Sequence, residues 1–166
     1  MSSTPSNTDP TWSLDREIVL VRVLDATREA VFAAWTEADA FCQWFGPDGF
    51  TCTVREMDVR AGGRARFDMA SADGTVYTNR FDYLEVVPAE RLVLDHGPDT
   101  DNDPTRFRVT IVLDAQADGK TVLTLRQLHP TAAQRDAGIG FGAVELGLQT
   151  LRKLAHHLGS SETPDR

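Results

Sequence analysis

Between Phe50 and Leu128 the apolar residues of this chain recur at every second position, and after Thr131 they recur at every third or fourth. A period of two alternates side chains between the faces of a strand; a period near 3.6 gathers them on one face of a helix. The first pattern predicts strands over Phe50 to Met57, Arg64 to Ala70, Thr75 to Val87, Arg91 to His96, Phe107 to Leu113 and Thr121 to Leu128. Ala65, Phe67 and Met69 share one face of the second. In the third, Tyr77, Phe81 and Tyr83 fall on one side, and Val76, Leu84 and Val86 on the other. Ala72-Asp73-Gly74, Pro88-Ala89-Glu90 and Ala117-Asp118-Gly119-Lys120 supply turn chemistry, and Gly97 to Pro104 reads as an acidic surface loop. The second pattern predicts one long helix over Thr131 to Leu158, with Val144, Leu148, Leu151, Leu154 and Leu158 as its apolar stripe.

Upstream, Arg16 to Leu24 is dense in β-branched residues and reads as a strand, followed by a turn and N-cap at Asp25-Ala26-Thr27. Val31, Phe32 and Trp35 suit a short helix over Arg28 to Thr36. Asp39 is the expected cap of a second short helix carrying Phe41, Trp44 and Phe45, which Gly46-Pro47-Asp48-Gly49 stops. The class is therefore α+β: strand, two short helices, about six further antiparallel strands, and a C-terminal helix. A sheet of 6–7 strands must curl, and one helix suffices to cover its concave face. Residues 1–13 are expected to form a disordered arm and residues 160–166 a flexible tail, which leaves 14–159 as a single domain.

The chain carries 17 Lys and Arg against 25 Asp and Glu, a net charge of −8. That balance argues against phosphate-backbone binding, which relies on surplus cations, and against adsorption to anionic membranes. It favours a monomer or homodimer. No window reaches 18 consecutive apolar residues, and Met1 to Ser13 has neither the basic nor the apolar region of a signal peptide. Cys42 and Cys52 are ten residues apart, a spacing of no zinc or redox motif, and read as buried thiols in a reducing cytoplasm.

Few segments of the chain resemble catalytic motifs. Gly119-Lys120-Thr121 resembles the end of a phosphate loop, but Asp114 stands where that loop needs glycine. His96, His129, His156 and His157 fall in no metal-binding spacing, so neither metal nor cofactor is expected. Glu56 and Asp58 lie at i, i+2 and are suited either to split pKa values or to structural ion pairs with Arg60 or Arg64; the second reading is favoured. The C-terminal helix is more informative, because Gly138, Gly140, Gly142 and Gly147 each cost about 1 kcal/mol relative to alanine. Gly140, Val144, Gly147 and Leu151 follow i, i+4, i+7, i+11 along the buried side. Small residues there leave room between helix and sheet, either for a ligand or for aromatic side chains from the sheet. Candidate cavity residues are Trp35, Trp44, Phe67, Met69, Tyr77 and Phe81. Tyr83, His96, Gly140, Val144, Glu145, Gly147 and Leu148 complete them. Arg22, Arg126 and Gln149 are further polar groups able to meet a ligand. A one-residue register error would reverse every face.

The order of elements resembles the helix-grip fold of the START-like, birch-pollen-allergen superfamily. Val23-Leu24-Asp25-Ala26, Val31-Phe32-Ala33-Ala34-Trp35-Thr36 and Trp44-Phe45-Gly46-Pro47 are similar to segments of homologues of the activator of the heat-shock-protein-90 ATPase. So are Glu56-Met57-Asp58-Val59-Arg60, Tyr83-Leu84-Glu85-Val86-Val87-Pro88, Leu123-Thr124-Leu125-Arg126-Gln127 and Gly142-Ala143-Val144-Glu145. The resemblance covers about residues 15 to 158. It implies a bacterial, cytoplasmic protein that holds a small apolar or amphipathic molecule between sheet and helix. Its alternatives are a polyketide cyclase- or hydratase-like enzyme, with Glu145, His96 or Tyr83 as acid or base, and a co-chaperone-like interaction domain.

Overall fold

Seven strands make one antiparallel sheet in the order β1-β7-β6-β5-β4-β3-β2, in a computed structural model that describes residues 14–159. The arm and tail expected at 1–13 and 160–166 lie outside the described residues. The strands are β1 (Glu17–Leu24), β2 (Thr51–Met57), β3 (Arg64–Ala70), β4 (Val76–Val87), β5 (Arg91–Pro98), β6 (Phe107–Ala115) and β7 (Thr121–Leu128). From β2 to β7 each strand neighbours the next in sequence. The last pairs with the first, from Glu17 opposite Leu128 to Leu24 opposite Thr121.

Alternation sets the inner face. Ala65, Phe67 and Met69 are buried on β3, whereas Arg64, Arg66 and Asp68 point outward. On β4 a bulge between Tyr83 and Glu85 resets the alternation. Val86 therefore packs against the core and Leu84 stays exposed, so the two are not on one face as the simple period had grouped them.

Two short helices follow β1. Thr27 caps α1 (Arg28–Thr36) by accepting from the Ala30 amide at 3.2 Å. The N-cap of α2 (Ala38–Trp44) is Glu37, and Asp39 sits inside the first turn instead of capping it. Trp44 Nε1 donates to the Ala34 carbonyl at 3.1 Å and ties the two helices together.

The expected single helix over Thr131 to Leu158 is divided into α3 (Ala132–Gly140) and α4 (Ala143–His157). The break is at Gly142, whose φ of +89° no helical residue adopts. Thr131 caps α3 through the Gln134 amide. Leu151, Leu154 and Ala155 bury the stripe of α4, but Leu148 is 46% exposed. It lies at the flank of a stripe centred on Gly147, Leu151 and Leu158.

Candidate functional site

Between the inner face of the sheet and α4 lies a cavity of about 110 Å³. Its floor is the middle of the sheet: Leu20 of β1, Phe81 of β4, Leu94 and His96 of β5, Phe107 and Val109 of β6, and Leu125 and Gln127 of β7. Trp35 of α1 and Phe45 close one side, and Gly147, Thr150 and Leu151 of α4 form the roof. Cross-strand pairing builds the floor in rows. Leu94 faces Val109, which faces Gln127; one row along, His96 faces Phe107.

Gly147 is required for this closeness, since a Cβ there would lie 2.5 Å from Leu20 Cδ1. The space above the missing side chain is thus partly occupied by Leu20, and the remainder is the cavity.

His96 is the polar centre of the wall, packed edge-on against Phe81 at 4.9 Å and beside Phe107 at 5.1 Å. Its Nε2 lies 2.9 Å from Asn79 Oδ1. Burial, and secondarily the Arg106 guanidinium, push its pKa from 6.5 down to about 4, so the ring is neutral at pH 7. Thr150 spends its hydroxyl on the Leu146 carbonyl at 3.0 Å. The Trp35 indole N–H is buried without a partner.

Of the residues expected from the sequence, Trp35, Phe81, His96 and Gly147 line this cavity. Trp44, Phe67, Met69 and Tyr83 are buried in the core but do not reach it. Phe67 stands one layer behind, 4.9 Å from Phe81 and 5.4 Å from Phe45. Tyr77 shares the parity of Phe81 but sits beyond the covered part of β4, 53% exposed beside Phe50. Val144 packs on the core without lining the cavity. Gly140, before the break, and Glu145 and Leu148, off the buried stripe of α4, are exposed.

The remaining polar candidates are committed elsewhere or lie off the cavity. Arg126 pairs with Glu17 at 2.5 Å, and Gln149 accepts from the Asp48 amide. Arg22 is partly buried on the inner side of β1 but is not among the cavity residues. Asp58 pairs with Arg60 at 2.9 Å, and Glu56 lies 3.8 Å from Arg66, so both carboxylates make ion pairs. Cys42 and Cys52 are partly buried free thiols, and burial pushes Cys52 up to about 12, which keeps it protonated and unreactive. Among the described residues no group of three or more His, Cys, Asp and Glu is placed to hold a metal ion, and no helix is long and apolar enough to cross a membrane.

Sequence reasoning missed Leu20, Phe45, Leu94, Phe107, Val109, Leu125, Gln127, Thr150 and Leu151 as cavity residues. The signal available for the strand members was parity: each occupies the same face as an already chosen neighbour once strands are paired.

The profile of a family described as Activator of Hsp90 ATPase homolog 1-like protein matches residues 25–159. The crystal structure of a protein from Chromobacterium violaceum is similar at 29% identity, covering 87% of this chain and 98% of that one, with a TM-score of 0.72. A solution structure from Arthrobacter aurescens is 19% identical over 91% of this chain and 89% of that one, with a TM-score of 0.81. A crystal structure of a protein named AHSA1 from Silicibacter pomeroyi is 22% identical over 87% and 99%, with a TM-score of 0.68. The latter two bear on the fold alone. None of the curated proteins compared with the chain matches it.

Proposed function

This chain belongs to the activator of Hsp90 ATPase homolog 1-like family, and from that footing we propose that it binds a small apolar or amphipathic molecule in the cavity beneath α4. The observation that carries the proposal is an aromatic-walled space with a neutral polar group, His96, set in its lining. Ligand sites are commonly apolar and preformed, with a few placed polar groups that fix orientation. At about 110 Å³ the cavity is smaller than the ~150 Å³ engineered cavity that takes up benzene, so it suits one ring or a short chain.

A cyclase- or hydratase-like enzyme is the second reading, and His96 is the observation in its favour. Magnitude counts against it. A general base works best with a pKa near the operating pH. With a pKa near 4, protonating His96 at pH 7 costs about 4 kcal/mol. Such an imidazole accepts hydrogen bonds well and protons poorly. Tyr83 is a worse acid, since burial raises its pKa and its hydroxyl lies away from the cavity. Glu145 is exposed. An interaction role would draw on exposed apolar side chains, of which Val19, Val21 and Val23 share the outer face of β1 and Phe141 is 86% exposed.

Native mass spectrometry of the protein purified from its own cells tests the proposal. A stoichiometric extra mass is expected, lost on denaturation and absent from Gly147→Leu, whose side chain would occupy the cavity. A bare mass in both proteins counts against ligand binding.

A further inference from the structure

We propose that the cavity's ligand is a single-ring aromatic molecule with one hydrogen-bond donor, of the phenol or aniline type, donating to Nδ1 of His96. The inference rests on the cavity-binding reading above. It begins with the Asn79 amide, whose Nδ2 donates to the Tyr77 carbonyl at 3.0 Å. That orientation leaves Oδ1 facing His96 Nε2 at 2.9 Å. An amide oxygen only accepts, so Nε2 carries the hydrogen. A neutral imidazole has one N–H, so Nδ1 is a bare acceptor, and no donor among the described residues meets it.

Chemical class follows from the surroundings. An acceptor in an apolar wall recognises a donor, and a neutral ring gives no ion pair to a carboxylate or phosphate. The cation that acts on His96, Arg106, gives Nη1 to Asp82 at 2.7 Å and Nη2 to the Thr100 carbonyl, while its Nε is buried without a partner. Trp35, Phe45, Phe81 and Phe107 present edges and faces suited to an aromatic ring. At about 110 Å³, below the ~150 Å³ that holds one benzene, the cavity has no room for two rings. Gln127, two strands from His96 across β6, also lines the cavity, makes no side-chain hydrogen bond among the described residues and is a second polar group for the ligand to meet.

The test is titration of the whole protein with phenol and with toluene, in the parent and in His96→Leu, followed by calorimetry. Nitrogen-15 NMR of the histidine ring accompanies the parent titrations. Both probes should bind the parent. The phenol-to-toluene affinity ratio should fall about tenfold in His96→Leu. The Nδ1 resonance of His96 should move with phenol and stay still with toluene. If both probes bind but the ratio is unchanged, or Nδ1 does not respond to phenol, the donor inference falls and cavity binding stands. Should neither probe bind the parent, the single-ring inference falls, and cavity binding is decided by the native mass spectrum. If His96→Leu does not fold, the parent's Nδ1 response decides alone.

Discussion

His96 shows how much one side chain can depend on residues far from it in sequence. His96 was expected as a cavity residue, but its inward orientation, in parity with Leu92 and Leu94 on β5, depended on a register the sequence left open. Its tautomer was not legible, because that is fixed by Asn79, 17 positions earlier on the neighbouring strand. A folded-state pKa below the unfolded value makes the unfolded chain bind more protons between the two. Stability from this group is therefore complete above about pH 6.5 and lost as pH falls toward 4. The full loss is at most about 3 kcal/mol. Urea denaturation at pH 7.5 and pH 4.5 should show the slope, and His96→Leu should lack its share, leaving the part due to His129, whose pKa burial also lowers. An identical slope in the variant would mean that His96 is not held neutral by the fold. Gly147 was legible as a small residue on the buried side, although its neighbour Leu20 was not: that contact joins the first strand to the last helix.

At the scale of elements, strands were easier to read than the C-terminal helix. Each strand carries its own alternation between turn residues, so β3 and β7 end where the pattern ends. The helical region carries a run of glycines that period alone treats as a cost, whereas what matters at Gly142 is the sign of φ. A residue with a Cβ at +89° suffers its own backbone, and a Cβ at Gly142 meets nothing within 4 Å that would relieve or worsen this. Gly142→Ala should therefore lose about 1 kcal/mol of stability, the left-handed penalty less the gain from a stiffer unfolded chain. The measurement is chemical denaturation monitored by far-ultraviolet circular dichroism. An unchanged midpoint would show that α3 and α4 merge without penalty. Register was the other gap, because the bulge at Tyr83 has no marker in sequence and yet decides which way Val86 points.

For the whole molecule, the organising contact on the outer face of the sheet is Asp99, in the loop that the sequence marked only as acidic. Asp99 Oδ2 accepts from Arg55 of β2 at 2.8 Å and from Arg66 of β3 at 2.9 Å, and Oδ1 lies 3.2 Å from Arg80 of β4. One carboxylate thus fastens β2, β3 and β4 to the loop after β5. The pairing was invisible in sequence because its partners lie 19 to 44 positions away and only the meander brings them together. Burial alone would raise the Asp99 pKa, but hydrogen bonds from Arg66 and Arg55 outweigh it and hold the carboxyl below its ordinary value. The sign follows: a carboxylate depressed in the folded state contributes stability above its unfolded pKa and loses it as pH falls below about 4. Acid should therefore weaken the fold in two stages, His96 first and Asp99 after it. Asp99→Asn isolates the second stage. Arg80, only 5% exposed, keeps Asp101 but loses its buried partner, a change that costs several kcal/mol when both members are buried. Arg55 and Arg66 are more than a third exposed and recover part of their hydration, so a loss of about 2 kcal/mol at pH 7 is expected. Below pH 4 the variant and parent should converge, since the parent's carboxylate is then being neutralised as well. Equal stability at pH 7 would show that the three arginines hold the sheet face without Asp99, and the loop after β5 would then be a passenger on the fold.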